Sequence, residues 1–341
     1  MRNVAIVVVL VTLIVIGGCG GSSLIAHALS LIKLADVVLD IKDRVTPDEE
    51  EKLTVLLDGY VVRTDAPNSA GALEISRLPV GKFLVSLVSA DRRNGWHGTV
   101  QIGSGGATTA VNPFSGPVIS GTVSRQTETA GQVPVANAVV VAFEDGANRL
   151  ANGQGPLRIG GLSQGGHMMA MTNDQGGYVL GPSKYGKWLV AVFQPGYYAD
   201  AKAVEVVAGG DVGNTNLLLR PQANASKATL SGTVVADANG VPLFAALARA
   251  DLSQSQPLAV QVSSETRVAV QSATGLTLPA GAWFSWHFFA TTTSTAGSYS
   301  LSVPATTVRA WAYKYGYAGA SRDLTPLAGS VVSSDYRLQA Q

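Results

Sequence analysis

The stretch that decides the fold covers residues 118–145 and reads VISGTVSRQTETAGQVPVANAVVVAFED. It begins and ends with valine-rich runs, 118–123 and 139–143, and β-branched residues favour extended strands. The residues between the runs include glycine, proline and asparagine, which are typical of turns. The pattern therefore predicts two β-strands joined by turns and no helix.

The same order of signals is repeated along the chain. A Thr-Asn-Asp-Gln-Gly-Gly turn at 172–177 precedes a short strand and a mostly apolar run, 188–193. The last third matches this order: Ser231–Val234 corresponds to Ser120–Val123, and Lys314–Tyr317 corresponds to Gln194–Tyr197. Residues 53–114 match only the second half of the pattern. The repeats predict three related β modules, of which the first is abbreviated.

These motifs in this order resemble the carboxypeptidase regulatory-like domain, which has a transthyretin-like (prealbumin-like) fold. The resemblance implies a mainly β protein made of tandem seven-stranded Greek-key β-sandwich modules. Their expected bounds are 53–114, 115–222 and 223–341. Thr295 and Ala296 replace the usual acidic turn residue in the last copy. Such modules imply an accessory or adhesive role and no peptidase activity.

The only cysteine, Cys19, directly follows an apolar run and the residues Ile16-Gly17-Gly18. Arg2, the short apolar core and the small residues resemble a bacterial lipoprotein signal. The resemblance implies a signal peptide at 1–18, acylation of Cys19 and anchoring to membrane lipid, at the outer membrane or cell surface. An ordinary secretory signal or a membrane anchor is the alternative interpretation.

Residues 19–52 are expected to hold a glycine- and serine-rich tether followed by an amphipathic helix. Polar residues recur every three or four positions between Leu24 and Arg44, with apolar residues between them. A short second helix is expected to begin at Thr46. The apolar face of the longer helix is expected to pack on the first β module; the alternative is that it lies on the membrane.

Composition argues against several classes of function. Only 14% of residues are charged and the net charge is +1, so no basic face for nucleic acid is expected. The four histidines lack acidic residues at zinc-site spacing, and no metal or cofactor is predicted. Residues 161–165 spell Gly-x-Ser-x-Gly in a glycine-rich loop that lacks the strand–helix context of a nucleophile. We predict no catalytic residue.

Two insertions carry the candidate binding residues. The first, 145–171, contains Arg158 and His167; the alternative is a self-packed or disordered hairpin. The second, 280–292, reads AGAWFSWHFFATT and contains Trp283, Trp286 and His287. As a strand it carries aromatic rings on both faces: one set can fill the core, and one interpretation has the other set exposed as a platform for a sugar or a protein. The alternative is that residues 253–280 cover the second face.

The sequence thus predicts a non-catalytic cell-envelope lipoprotein that acts in binding, adhesion or scaffolding. The alternative is a carbohydrate-binding surface protein that stacks sugars on exposed aromatic residues near Trp283 and Trp286. A glycan or an envelope protein is the expected partner class. Self-assembly through exposed sheet edges is a further expectation.

Overall fold

The computed structural model describes twelve stretches of the chain: residues 34–40, 53–65, 72–79, 81–88, 94–102, 107–110, 114–127, 131–159, 167–181, 184–223, 225–253 and 255–340. Several predictions lie outside these residues. They are the signal peptide 1–18, the lipidation site Cys19, the tether, the second helix from Thr46 and the loop at 161–165. We divide the described chain into an N-terminal segment (34–115), a middle segment (116–222) and a C-terminal segment (223–340).

The N-terminal segment consists of strands among its described residues, in two sheets. One sheet has the order β4-β1-β7 and the other β3-β2-β5-β6-β8. The strands are β1 (Leu34–Asp40), β2 (Leu53–Leu57), β3 (Tyr60–Asp65), β4 (Ala72–Pro79), β5 (Gly81–Val88), β6 (Asn94–Ile102), β7 (Ala107–Ala110) and β8 (Phe114–Ser115).

Strand β1 overturns the predicted helix where the two overlap. Residues 34–40 pair antiparallel with β4 and parallel with β7, which a helix could not do. The run LADVVLD satisfies helical spacing over two turns, but its valines and leucines equally suit a strand. Pairing on both sides decides between the two, because it satisfies the backbone groups along the strand. The remainder of the predicted helix, 24–33 and 41–44, lies outside the described residues.

The middle segment has two sheets of its own, a short helix, and one strand at 157–159 that belongs to a third sheet shared with the C-terminal segment. In one sheet the order is β10-β9-β18-β16, with β14 also paired to β9, and in the other it is β13-β11-β15-β17. Its elements are β9 (Ile119–Thr127), β10 (Gly131–Pro134), β11 (Val139–Glu144), α1 (Gly146–Ala151), β12 (Leu157–Ile159), β13 (His167–Met171), β14 (Gly177–Leu180), β15 (Gly186–Val192), β16 (Tyr197–Tyr198), β17 (Asp200–Val206) and β18 (Leu217–Pro221).

The C-terminal segment follows the same plan. One sheet has the order β24-β19-β27, with β28 also paired to β19, and the other β23-β20-β25-β26. Its elements are β19 (Lys227–Ala236), β20 (Leu247–Asp251), β21 (Leu258–Val260), α2 (Ser264–Thr274), β22 (Phe284–Trp286), β23 (Phe288–Thr292), β24 (Ser298–Pro304), β25 (Val308–Tyr313), β26 (Ala320–Leu324), β27 (Val331–Ser333) and β28 (Tyr336–Leu338).

Strand pairing supports the predicted repeat and corrects the first copy. In the middle segment, β9 pairs antiparallel with β14 and parallel with β18. In the C-terminal segment, β19 pairs in the same way with β24 and β28. In the N-terminal segment, β1 pairs in this way with β4 and β7. The opening strand that residues 53–114 lack is therefore β1, at 34–40. The mainly β, sandwich-type fold class is confirmed.

Strand β11 is buried on both faces, which explains its continuous apolar sequence. Val140 and Ala142 belong to a hydrophobic cluster formed only by residues of the middle segment. Val139, Val141 and Phe143 point the other way, into a cluster that also contains residues of the N-terminal and C-terminal segments. Because successive strand residues face opposite sides, one strand takes part in both cores.

Candidate functional site

A buried charged cluster joins the N-terminal segment to the C-terminal segment. Arg249 lies in the middle of β20 and is 5% exposed. Its guanidinium forms an ion pair with Asp58, in the turn between β2 and β3. It also donates through Nε to the Oδ1 of Asp251, 2.6 Å away. The two acidic residues come from different segments, so the arginine connects them.

Aromatic rings enclose this guanidinium. Its central carbon lies 4.1 Å from the ring centre of Phe288, 5.3 Å from that of Phe83 and 5.4 Å from that of Trp311. The indole N–H of Trp311 donates to the second carboxylate oxygen of Asp251 at 2.6 Å. A planar cation stacked on aromatic faces is attracted to them, and the attraction is stronger where water is excluded.

The local backbone brings Asp58 to the cluster. Asp58 has a positive φ of 48° and is followed by Gly59 at 88°, which makes a tight turn after β2. Its own N–H donates to the carbonyl of Leu84, and its Oδ1 accepts the N–H of Leu84 at 2.8 Å. The second carboxylate oxygen is thereby left for Arg249.

Arg249 is held in its charged form. Burial by itself lowers the pKa of Arg249, but the charges of Asp251 and Asp58 and the hydrogen bonds they accept raise it, and the net direction is upward. Burial also raises the pKa of the neighbouring Tyr60, whose hydroxyl is buried without a hydrogen-bond partner. Arg249 and Asp58 are both buried, so removing either side chain would leave the charge of the other uncompensated.

The predicted aromatic platform is wrong. Trp283 is fully buried and Trp286 is 1% exposed. Strand β22 pairs parallel with β12 of the middle segment and antiparallel with β21, so insertion strands flank it on both sides. Ring packing covers the aromatic faces: Phe143 stacks on Phe284, and Phe193 packs on Trp286. These rings are unavailable for stacking on a sugar.

The structure brings four of the five predicted binding residues into one region. Arg158 pairs with Ser285 across the β12–β22 ladder and is exposed. His287 lies directly after β22, is 3% exposed, and donates its backbone N–H to the carbonyl of Ile159. Trp283 and Trp286 lie in the same stretch. His167 begins a different strand, β13, where its backbone pairs with that of Phe143.

His287 is buried as a neutral ring. Burial lowers the pKa of His287, the charge of Arg158 lowers it further, and Asp251 acts in the opposite direction. Its Nε2 lies 3.5 Å from the hydroxyl of Ser285, while Nδ1 has no hydrogen-bond partner. Both side chains are buried, so the pair has no access to a substrate. This region is a contact between the middle and C-terminal segments. We call such a contact between two segments a joint, and the Arg249 cluster is the first of them.

Helix α2 forms a third joint. Ser263 caps the helix by accepting the N–H of Thr266, and the Thr266 hydroxyl donates to Oδ1 of Asp200 at 2.5 Å. Asp200 lies on β17 of the middle segment, and its other oxygen accepts the N–H of Leu218. The insertion at 253–280 thus packs against the middle segment and does not form a free loop.

Within the stretches that the structure describes, no three His, Cys, Asp or Glu side chains group as a metal site would require. None of the helices in those stretches is long and apolar enough to cross a membrane. Sequence reasoning missed Asp58, Arg249, Asp251 and Trp311. The signal available was an arginine within the otherwise apolar run Leu247–Ala250, because a lone charge inside a buried strand needs a partner.

Comparison with known proteins adds little. Neither a family model nor a curated protein matches the sequence. Among solved structures, the chain is similar to the Bacillus anthracis TIE protein at 12% identity and a TM-score of 0.22, over 89% of this chain and 50% of that one. The chain therefore spans about half the length of that protein.

Two pilin structures are similar at the same level. One is a streptococcal ancillary pilin, at 11% identity and a TM-score of 0.23, over 90% of this chain and 99% of that one. The other is the shaft pilin SpaA from Lactobacillus rhamnosus GG, at 14% identity and a TM-score of 0.22, over 66% and 98%. At these identities and scores the similarity gives no information about function.

Proposed function

We propose that this protein is a non-catalytic scaffold of the bacterial cell envelope, anchored by lipid on Cys19. Its β-sandwich segments, predicted as modules at 53–114, 115–222 and 223–341, act as one rigid body that presents a binding surface. The predicted first module is extended here to include β1.

The observation that carries the proposal is the Arg249 cluster. A chain of flexibly linked binding modules would expose polar surfaces at its joints, because loosely associated domains have small, polar interfaces. Here a buried arginine is shared between Asp58 and Asp251, and three aromatic rings enclose it. Such a joint resists hinge motion, since separation of the segments would expose the apolar rings and break the ion pair. A rigid joint suits a scaffold.

The proposed anchor rests on the sequence alone. The Ile-Gly-Gly-Cys run, the basic Arg2 and the short apolar core between them support acylation of Cys19. Acyl chains on one residue would hold the protein stably at a membrane surface. We place the scaffold at the outer membrane or cell surface, because Gly20 follows the cysteine where an aspartate would favour retention at the inner membrane.

Calorimetry on the full chain in detergent tests rigidity. We expect the described segments to unfold in one transition, with a calorimetric enthalpy equal to the van't Hoff enthalpy. Two or three separate transitions would show independent modules and overturn the rigid-scaffold proposal.

Intact mass of the protein from native membranes tests the anchor. We expect a chain that begins at Cys19 and carries a diacylglycerol and one further acyl group. A Cys19→Ala variant should lack the lipid mass and leave the membrane fraction. An unmodified or uncleaved wild-type chain would refute lipid anchoring, whatever calorimetry shows.

A further inference from the structure

The middle and C-terminal segments contain the same hydrogen-bonded turn before their central strands. In the middle segment, Thr172 accepts the backbone N–H of Asn137 on its carbonyl and that of Ala138 on its hydroxyl. In the C-terminal segment, Thr293 binds Ala245 and Ala246 in the same way. Asn137 and Ala245 also share a positive φ, 56° and 51°. These bonds make Asn137 equivalent to Ala245, and Ala136 equivalent to Phe244.

In the middle segment this turn faces the next segment along the chain. The hydroxyl of Thr292, at the end of β23, donates to Oδ1 of Asn137 at 3.2 Å. Beside this bond, Phe193 packs on Trp286 and on Phe289, with ring centres 5.4 Å and 6.2 Å apart. One segment therefore docks through its turn on the outermost strand of the following segment's sheet.

In the C-terminal segment the equivalent turn is as exposed as in the middle segment, where Ala136 is also exposed, but it carries larger apolar side chains. Phe244 is 59% exposed and Val241, three residues before it, is 52% exposed. The middle segment has Ala136 at the position of Phe244. A large exposed aromatic beside a second exposed apolar residue is the composition of an interaction surface, since aromatic residues are enriched among binding hot spots.

We propose that the Phe244 turn, residues 241–245, docks on a second copy of this chain. The argument is continuity with the interface inside the chain: the equivalent turn already binds a sandwich of the same repeat family. A second copy offers a surface built on the same plan. This inference deepens the scaffold function proposed above and rests on it.

The strand order indicates where the second copy would accept the turn. The acceptor in the internal interface is β23, which is outermost in its sheet and adjacent to β20. The N-terminal segment has β3 at the corresponding place, outermost and adjacent to β2. Contact from the C-terminal segment of one copy to the N-terminal segment of the next is head-to-tail. Such contacts form a closed ring or an open row of copies, depending on the rotation between neighbouring copies.

Site-specific photocross-linking in native membranes tests the proposal. A benzoylphenylalanine replaces Phe244 in the full chain, and a matched chain carries it at Leu327, which is 74% exposed in a different loop. We expect a product of twice the chain mass from position 244 only, with cross-linked peptides from the vicinity of 60–65. Products linked only to other proteins or to lipid, no product, or equal dimer from position 327 would each overturn the proposal.

Sedimentation of the purified full chain in detergent provides the second measurement. The Phe244→Ser change should weaken self-association about tenfold or more, the loss expected for one aromatic anchor. The Leu327→Ser control should leave it unchanged, and both side chains are exposed enough that folding is not at stake. If the wild type is monomeric, self-docking is refuted, while a single unfolding transition and lipidated Cys19 would leave the scaffold function standing.

Discussion

The middle and C-terminal segments share a backbone plan but differ in what their central strands carry. In both, a tyrosine pairs with the glycine of the Ser-Gly-Thr-Val strand: Tyr178 with Gly121 and Tyr299 with Gly232. The hydroxyls of these tyrosines donate to the carbonyls of Thr215 and Ser334, each at 2.5 Å. The recurring motif thus marks contacts between side chain and backbone. Those contacts define the sandwich in both segments.

The differences lie on the face turned away from each segment's own core. The Thr172 hydroxyl accepts the N–H of Ala138 just before β11, and the Thr293 hydroxyl accepts that of Ala246 just before β20. This equivalence aligns Val141 of β11 with Arg249 of β20, and Phe143 with Asp251. The middle segment buries Val141 completely, while the C-terminal segment buries an arginine at the same position. The two segments therefore share their strand pairing and turn contacts. They differ in the strand residues that face another segment, and these residues form the contacts between segments.

The largest expected effect comes from giving β20 the residue of β11. Arg249→Val should destabilise the full chain by about 3–5 kcal/mol, because Asp58 would remain buried without its cation and the half-buried Asp251 would lose its ion pair. Urea unfolding of the chain measures this. The matched control is Val141→Ala in β11, which deletes apolar atoms without stranding a charge.

A triple variant separates lost charge pairing from lost packing. Arg249→Val with Asp58→Asn and Asp251→Phe removes all three charges and imitates the middle segment at two positions. Asparagine tolerates the positive φ at position 58. We expect the triple variant to be more stable than Arg249→Val alone, since apolar replacements of buried ion pairs are often well tolerated. Equal or greater damage would contradict the stranded-charge explanation.

A smaller effect is expected from the glycine shared by the two motifs. A Cβ at Gly121 would overlap the carbonyl oxygen of Thr215, and one at Gly232 would overlap that of Ser334. Gly121→Ala and Gly232→Ala should each cost about 1–3 kcal/mol, because backbone must move to relieve the overlap. Gly213→Ala and Gly281→Ala are the controls, since no atom lies within 4 Å of a Cβ there. Damage in only one segment would show that the two motifs are not equivalent.

The repeated β-sandwich plan was predictable because its signals are local. Valine-rich runs and glycine turns follow from backbone preferences within a few residues, and both copies fold as their motifs indicate. Strand β1 was predicted as a helix because seven residues with two adjacent valines fit both periods, and the decision comes from β4 and β7, far along the chain.

The joints could not be predicted because they depend on distant residues. Arg249 and Asp58 are 191 positions apart in sequence. The exposed platform at Trp283 and Trp286 was wrong for the same reason: β12, from another segment, and β21 pair with β22 and bury it. Local pattern shows that a strand is aromatic on both faces, while only the assembled fold shows what covers each face.

The smallest expected effect concerns a pair of matched acceptors, Asn216 and Asp335. Each accepts the backbone N–H and the hydroxyl of the motif threonine, Thr122 or Thr233. Bonds from the Thr233 N–H and then its hydroxyl lower the pKa of Asp335, and Arg322 adds to this.

The pH dependence of these two acceptors should differ between the segments. Because the folded pKa of Asp335 lies below the unfolded one, its contribution is complete above the unfolded value of about 3.9 and is lost as pH falls through the folded pKa. Asp335→Asn should therefore change stability little at pH 7 and flatten its loss on acidification, and Asn216→Asp should steepen that loss. Urea unfolding at pH 7 and at pH 3 compares the variants. The amide of the Asp335→Asn variant has no proton to gain in this range. If this variant were as acid-sensitive as the wild type, protonation of Asp335 would not contribute to the loss of stability, and the prediction would be wrong.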